Sequence, residues 1–156
     1  MAEFYMVGGL PGSGKSTFCK QFKEFYPDTE IVSTDAIRAE ICGDESDQSQ
    51  NSKVFMIAKD RIQSLLSDDK KVMFDATNLK ERDRKKVLSW IEGINCWCAC
   101  YFFNTPIEEC IKRQDQRARK VPVEVIRRMA EFMTLPRASE GFDYVHIVQG
   151  DLKWNV

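Results

Sequence analysis

The sequence predicts an α/β fold with three α/β/α layers, in which helices cover both faces of a mostly parallel, five-stranded sheet. Short hydrophobic runs alternate with segments of helical period along the whole chain, which is typical of domains built on a mostly parallel sheet. No linker or repeat interrupts this alternation over 156 residues, a length that suits one ordinary domain. We therefore expect a single domain that spans residues 1–156.

In the first half of the chain, apolar runs predict strands and polar turns separate them from helices. A Gly-rich turn follows the first run, and Pro27 ends the helix after it because proline cannot continue a helix. Thr34 or Asp35 can cap the next helix. A polar loop at 44–51 then precedes a longer helix. The predicted strands are 4–7, 31–33 and 72–74, and the predicted helices are about 15–25, from the cap to about 41, and 53–66.

In the second half, the alternation continues to the last strand. Thr105 and Glu108 have the spacing of a capping box, with Pro106 at the first helical position. Pro122 begins a further helix. The predicted elements are a helix at about 81–91, a strand at 96–103, helices to about 117 and from 122 to about 133, and a strand at 145–148.

The composition favours a soluble globular protein. Hydrophobic residues make up 43% of the chain and charged residues 30%, with 23 basic and 24 acidic side chains. Non-specific coating of nucleic acid needs an excess of cations, so this balance argues against it. The sequence shows no export signal and no apolar run long enough for a bilayer, so we expect a cytoplasmic protein with no membrane partner. The six cysteines lack zinc-binding spacing.

Residues 9–16 match the phosphate-loop pattern GxxxxGK[ST], directly after an apolar strand and at the start of a helix. The glycines allow backbone N–H groups to turn inward around an anion, and the helix N-terminus adds partial positive charge. Lys15 would reach the β and γ phosphates, and Ser16 would supply a hydroxyl to Mg²⁺. We predict that ATP or another NTP binds here with Mg²⁺, through Gly9, Pro11, Gly12, Ser13, Gly14, Lys15, Ser16 and Thr17.

Asp35 and Arg38 are candidates for the acceptor side of a phosphate transfer. Asp35 follows the second strand, and the carboxyl ends of parallel strands open onto one ligand crevice. A carboxylate there can accept a hydroxyl proton. Arg38 lies three residues on and shares a helix face with Asp35, so a base and a phosphate clamp can address one acceptor. The alternative is a helix cap beside a solvated arginine.

Asp75 ends an apolar strand, as expected of a Walker B carboxylate that holds Mg²⁺. Residues 76–78 add short polar groups that could orient the metal or the acceptor, and the alternative is a polar turn. Further along, the cations Arg113, Arg117, Arg119 and Lys120 suit a helix C-terminus. They also suit a mobile lid over about 106–133, whose arginine closes on the donor phosphates.

Residues 9–17, 33–38, 75–78 and 113–122 together resemble the kinase domain of the phage and bacterial polynucleotide kinases. The resemblance extends from the first strand to about residue 133. It implies a P-loop kinase-type fold with a helical lid, and transfer of the γ-phosphate of ATP to the 5′-hydroxyl end of DNA or RNA. Family members often carry a phosphatase or ligase module that nothing here resembles, so we expect phosphorylation without trimming of 3′ ends.

The resemblance also implies roles for single residues. The residues matching Lys15 and Ser16 bind donor phosphate and metal, and the residue matching Asp35 activates the 5′-hydroxyl. Arg38 matches the arginine that holds the 3′ phosphate of the acceptor's terminal nucleotide. Arg117 best matches the lid arginine that touches the donor phosphates, with Arg119 as the competing choice.

Two other functions stay open on the sequence. Small-molecule kinases for nucleosides, sugars or antibiotics share the scaffold, and the fold does not separate them from polynucleotide kinases. Arg38 favours the polynucleotide, because a neutral small acceptor has no 3′ phosphate for it to bind. A regulatory nucleotide-binding module without transfer activity is the other alternative, and Asp35 would then be only a helix cap. The sequence carries no signal for an oligomeric state.

Overall fold

The computed structural model describes residues 1–116 and 121–149, and within them it contains five strands and six α-helices. The strands are β1 (Ala2–Gly9), β2 (Thr29–Ser33), β3 (Lys71–Asp75), β4 (Cys96–Phe103) and β5 (Tyr144–Val148). The helices are α1 (Lys15–Phe25), α2 (Thr34–Cys42), α3 (Asn51–Ser67), α4 (Glu81–Trp90), α5 (Ile107–Gln114) and α6 (Val123–Phe132). A short 3-10 helix, Ala138–Glu140, precedes β5.

The five strands form one sheet in the order β2-β3-β1-β4-β5, and each of the four pairings is parallel. The predicted α/β/α fold with a five-stranded sheet is confirmed. Ser33 of β2 and Val7 of β1 both lie opposite Asp75 of β3. This register aligns the carboxyl ends of three strands, and the segments that follow them therefore open onto one edge of the sheet.

The two faces of the sheet bury separate apolar clusters because strand side chains alternate between faces. On one face, Phe4 and Met6 of β1 pack in a cluster with buried residues of α3 and α4. On the other face, Tyr5 and Val7 pack with Phe18, Cys19 and Phe22 of α1. Cys96, Cys98 and Cys100 share the first face, as their alternation in β4 predicts. All six cysteines are free thiols.

Two predicted helix caps are wrong. The cap of α2 is Ser33, whose hydroxyl accepts a hydrogen bond from the Ala36 N–H at 3.2 Å, rather than Thr34 or Asp35. The predicted capping box at Thr105 does not form, because α5 begins after Pro106 and has no side-chain cap. The Thr105 hydroxyl instead donates to the Ser13 carbonyl, 92 residues away. The hydroxyl therefore makes a long-range contact with the phosphate loop and does not accept from a local backbone N–H.

A buried ion pair connects α4 to the segment before β5. Nε of Arg84 donates to Oε1 of Glu140 at 2.8 Å, and both side chains are almost completely inaccessible to solvent. The guanidinium also donates to the backbone carbonyls of Asn78, Leu79 and Thr134. It therefore fixes the turn that leads from β3 into α4. Among the described residues, no helix is both long and apolar enough to cross a membrane.

Candidate active site

A cleft of about 1450 Å³ opens at the carboxyl edge of the sheet. It lies between the phosphate loop, the start of α2, the start of α3, and the helices α5 and α6. Most of the predicted site residues line it: Pro11, Gly12, Ser13, Gly14, Lys15, Ser16, Thr17, Asp35, Arg38 and Asp75. Gly9 ends β1 at the base of the loop, where its N–H donates to the Thr77 carbonyl at 2.8 Å.

The phosphate loop packs closely against α5. Gly9, Gly12 and Gly14 all have positive φ angles, which glycine adopts without steric cost. At Gly12 (φ 82°) a Cβ atom would stand only 2.5 Å from the Cys110 carbonyl oxygen. Any side chain at position 12 would therefore strain the backbone and push the loop away from α5.

The Lys15 ammonium folds back over the loop. It donates to the carbonyl oxygens of Gly9 at 3.0 Å and Leu10 at 2.9 Å. Burial lowers the pKa of Lys15, while the nearby carboxylates of Asp75 and Asp35 act to raise it. The cation therefore lies inside a site with two anionic groups, at a position from which it can turn toward a bound phosphate.

The two candidate magnesium ligands come from separate segments of the sequence and meet in the cleft. The Ser16 hydroxyl, at the first turn of α1, donates to Oδ2 of Asp75 at 3.1 Å, across 59 residues of sequence. A hydroxyl and a carboxylate beside a phosphate loop are oxygen ligands of the kind that Mg²⁺ prefers. These two residues therefore fit a magnesium ion. Among the described residues, no cluster of three or more His, Cys, Asp and Glu side chains forms a separate metal site.

Asp35 and Arg38 meet on the same side of the cleft. Nη1 of Arg38 donates to Oδ1 of Asp35 at 2.8 Å. The Arg38 side chain is buried, whereas that of Asp35 is half-exposed toward the cleft. Asn51 completes the group, because its Oδ1 accepts from Nε of Arg38 at 3.1 Å and from Nη2 at 2.9 Å. The sequence reasoning missed Asn51, which has no distinguishing pattern at the end of a polar loop.

Two side chains beyond β4 hold one peptide of the phosphate loop. The Ser13 carbonyl accepts from Oγ1 of Thr105 at 2.8 Å and from Nη1 of Arg113 at 3.2 Å. A peptide's C=O and N–H groups point in opposite directions. Holding the Ser13 oxygen toward α5 therefore directs the N–H of Gly14 away from α5. Sequence reasoning grouped Arg113 with the other cations of the helix end and missed this contact.

The polar turn after β3 divides into two roles. Thr77 lines the cleft, whereas Asn78 is buried and has a positive φ of 44°. Nδ2 of Asn78 donates to the Val7 carbonyl at 2.8 Å. Asn78 therefore connects the turn to β1 and does not orient the acceptor.

The described part of the predicted lid contributes to one wall of the cleft. From α5 and the residues after it come Glu109, Lys112, Arg113 and Gln116, and from α6 and the residues before it come Val121, Pro122, Val125 and Met129. Helix α5 ends at Gln114, before the predicted end at about 117. The predicted lid arginine Arg117 and its competitor Arg119 lie outside the described residues.

A protein-family model and a curated relative match the chain in sequence. A family model described as an AAA domain matches residues 4–136. The chain is 29% identical over 145 residues to an L-seryl-tRNA(Sec) kinase of Methanococcus maripaludis, which covers 88% of this chain. The chain spans only about half of that relative, namely 55% of its length.

Solved structures share the fold. A chain of the Pnkp1/Rnl/Hen1 RNA repair complex matches 83% of this chain and 43% of its own length, with a TM-score of 0.76 and 24% identity. A gluconokinase from Sinorhizobium meliloti 1021 matches 97% of this chain and 84% of its own, with a TM-score of 0.67 and 18% identity. At these identities the likeness supports the P-loop kinase-like α/β/α fold.

Proposed function

Because the chain belongs to the AAA domain family, we propose that it is a P-loop phosphotransferase that moves the γ-phosphate of ATP to the 5′-hydroxyl end of DNA or RNA. The observation that carries the proposal is the 2.8 Å contact between Arg38 and Asp35, in a cleft shared with the phosphate loop. A carboxylate and a guanidinium at that position suit an acceptor that offers both a hydroxyl and a phosphate.

In this proposal, the donor triphosphate binds against the phosphate loop. Residues 9–17 surround its phosphates with backbone N–H groups, and Lys15 contacts the β and γ phosphates. Ser16 and Asp75 would hold Mg²⁺, which neutralises charge on the phosphates when bound. Arg117, on a lid of about residues 106–133, is the proposed arginine that closes on the donor. Asp35, Lys15, Arg38 and Arg117 then make up the catalytic group.

On the acceptor side, Asp35 accepts the proton of the attacking 5′-hydroxyl, and Arg38 binds the 3′ phosphate of the same nucleotide. An enzyme that binds the end of a strand contacts only a few phosphates and does not need an excess of basic residues. The balance of 23 basic and 24 acidic residues is therefore compatible with such a substrate. A chain of an RNA repair complex among the structural neighbours, and a tRNA-directed kinase among the relatives, add support for a nucleic-acid acceptor.

A small-molecule kinase is the second candidate. The gluconokinase matches 97% of this chain and 84% of its own length, so a domain of this size is found among kinases of small metabolites. Under this alternative, Asp35 keeps its role as base and Arg38 contacts a charged group of a metabolite. The two candidates therefore differ in the acceptor and not in the donor site.

The test offers labelled ATP, Mg²⁺ and a panel of acceptors: 5′-hydroxyl oligonucleotides, 3′-nucleotides, plain nucleosides, gluconate and seryl-tRNA. Label on the first two and none on nucleosides or gluconate supports the proposal, whereas label on gluconate alone supports the small-molecule kinase. Asp35→Ala should lose transfer by about 10³-fold while retaining ATP binding. If the wild-type protein binds ATP and labels none of these acceptors, the proposed activity is wrong.

A further inference from the structure

Arg38 is held by two oxygen acceptors, one on each side of its guanidinium. Nη1 donates to Asp35, and Nε and Nη2 together donate to Oδ1 of Asn51. The side chain is 9% exposed, and a charge that is so far removed from water needs hydrogen-bond partners. Its orientation is therefore fixed before any acceptor binds.

These contacts leave a defined part of the guanidinium for a ligand. Arginine carries five N–H donors in a planar fork, and the three hydrogen bonds to Asp35 and Asn51 use three of them. The other two lie on the terminal nitrogens, one on each, and a guanidinium N–H forms a strong, charge-assisted hydrogen bond with a phosphate oxygen. Since Arg38 lines the cleft, a phosphate there can accept hydrogen bonds from these two remaining donors.

Asn51 begins α3 at the end of the polar loop of residues 44–51, which otherwise has no role in the proposed function. Ser46 and Gln48 of the same loop also line the cleft. The Asp44 carboxylate accepts from the N–H and hydroxyl of Ser46 at 2.8 and 2.7 Å, which gives the loop a defined turn. The loop therefore forms one rim of the cleft and brings Asn51 to Arg38.

We propose that Asn51 is a positioning residue that sets the acceptor specificity of the site through Arg38. The proposal rests on the proposed function, because it assumes that Arg38 binds an acceptor phosphate. Asn51 occupies the Nε side of the guanidinium and leaves one N–H on each terminal nitrogen for the phosphate on the acceptor's 3′ side. The loop of residues 44–51 is then part of what selects a nucleotide that bears a 3′ phosphate.

The neutral amide is important to this arrangement. Asp35 and Arg38 together carry no net charge, and Asn51 adds a hydrogen-bond acceptor without adding a charge. A carboxylate at position 51 would also accept from Arg38 but would make the group net negative, which repels a phosphate. Asn51→Asp should therefore keep Arg38 in place and still weaken the binding of a phosphate-bearing acceptor.

The kinetic test uses adenosine 3′-phosphate as acceptor with saturating ATP and Mg²⁺. For Asn51→Ala we expect KM for adenosine 3′-phosphate to rise about tenfold, with kcat within about twofold and KM for ATP unchanged. Ser52→Ala, at the neighbouring exposed position outside the cleft, is the matched control and should behave as wild type. A loss confined to kcat, or the same loss in Ser52→Ala, overturns the positioning role.

A double-mutant cycle separates positioning from a general structural effect. If Asn51 acts through Arg38, then adding Asn51→Ala to Arg38→Ala should change KM for adenosine 3′-phosphate by less than about twofold. A full additional tenfold rise in the double variant shows that Asn51 acts independently of Arg38, which contradicts the proposal.

Failure of the proposed function is distinguishable from failure of this inference. If the wild-type protein phosphorylates neither 3′-nucleotides nor 5′-hydroxyl oligonucleotides, the proposed function is wrong. The positioning claim is then decided by the NMR signal of the Arg38 Nε–H in ¹⁵N-labelled protein. Asn51→Ala should shift that signal and speed its exchange with water about tenfold or more, since its acceptor is gone. An unchanged signal and exchange rate overturn the claim.

Discussion

Arg84 and Glu140 form an ion pair in the protein interior, with Nε and Oε1 2.8 Å apart and the two side chains 0% and 1% exposed. Oε2 of Glu140 also accepts from Nη2 of Arg84 at 3.2 Å and from the Arg137 N–H at 2.9 Å. Neither partner can turn to water when the other is removed. The pair also fixes the turn after Asp75, so its loss should affect the nucleotide site as well as the fold.

The first prediction concerns this ion pair. Glu140→Gln keeps the size of the side chain but leaves the buried guanidinium charge uncompensated. We expect the free energy of unfolding to fall by about 3–5 kcal/mol, measured by urea denaturation. Asp83→Asn, at an exposed position of the same helix α4, is the control and should change it by less than about 0.5 kcal/mol. Equal effects of the two substitutions would mean that the pair adds little to stability.

The second prediction concerns Thr105, whose hydroxyl holds the Ser13 carbonyl at 2.8 Å. Thr105→Val keeps the shape and removes the donor, so the Ser13–Gly14 peptide loses one of two restraints. We expect the Kd for ATP to rise about fivefold, in line with one hydrogen bond of about 1 kcal/mol. Isothermal titration calorimetry with ATP and Mg²⁺ measures it. An unchanged Kd would mean that Arg113 suffices to orient that peptide.

The third prediction concerns Thr29, where a Thr→Val substitution removes a hydroxyl that has no hydrogen-bond partner in the described part of the chain, in contrast to Thr105. Oγ1 of Thr29 is buried, with no hydrogen-bond partner among the described residues. Thr29→Val removes an unsatisfied polar atom, so we expect the free energy of unfolding to increase by about 1 kcal/mol. ATP affinity should not change. A destabilised Thr29→Val protein would show that the hydroxyl has a partner, such as a bound water molecule.

The fourth prediction concerns the magnesium ligands. Asp75→Asn replaces a carboxylate with a neutral amide, which is a weaker ligand for Mg²⁺. Among the described residues, Asp75 has the only carboxylate in contact with Ser16. We expect the Mg²⁺ concentration for half-maximal phosphate transfer to rise about tenfold or more. Asp60→Asn, at an exposed position of α3, is the control and should have the wild-type requirement. Equal magnesium requirements for both variants would remove Asp75 from the metal site.

The fifth prediction concerns pH. Burial lowers the pKa of Lys15, so its ammonium deprotonates at a lower pH than an ordinary lysine. Since the protonated form binds phosphate, ATP affinity should fall as pH rises through the lowered pKa. Bound phosphates favour the ammonium, so ATP binding at alkaline pH should take up a proton. Calorimetry in two buffers of different ionisation enthalpy detects that uptake, and its absence at every pH up to about 10 contradicts the assignment.

The fold, the phosphate loop and the positions of Asp35 and Asp75 could be predicted from the sequence, because each depends on residues that are close together in the chain. The boundaries of α1 and β4 agree with the predicted 15–25 and 96–103, since a phosphate loop begins the helix and an unbroken apolar run forms the strand. Asp35 follows β2 and Asp75 ends β3, and the parallel register accounts for their position at one edge of the sheet.

The rest of the site depends on contacts between distant residues, which leave no local pattern. Asn51 reaches Arg38 across 13 residues, and Thr105 reaches Ser13 across 92. Thr105 was expected to cap a helix because Thr-Pro-Ile-Glu has the spacing of a capping box, and no local pattern in the sequence indicates that its hydroxyl donates to the Ser13 carbonyl. Arg84 is a further example. Its neighbours in the sequence of α4 are mostly charged, and no local pattern indicates that this arginine is buried.

The central position of β1 has a consequence for how the protein is made. The strand is translated before both of its partners, which are Lys71–Asp75 on one side and Cys96–Phe103 on the other. Its neighbour in sequence, β2, does not pair with it. The nascent chain must therefore protect an apolar segment until both partner strands have been translated.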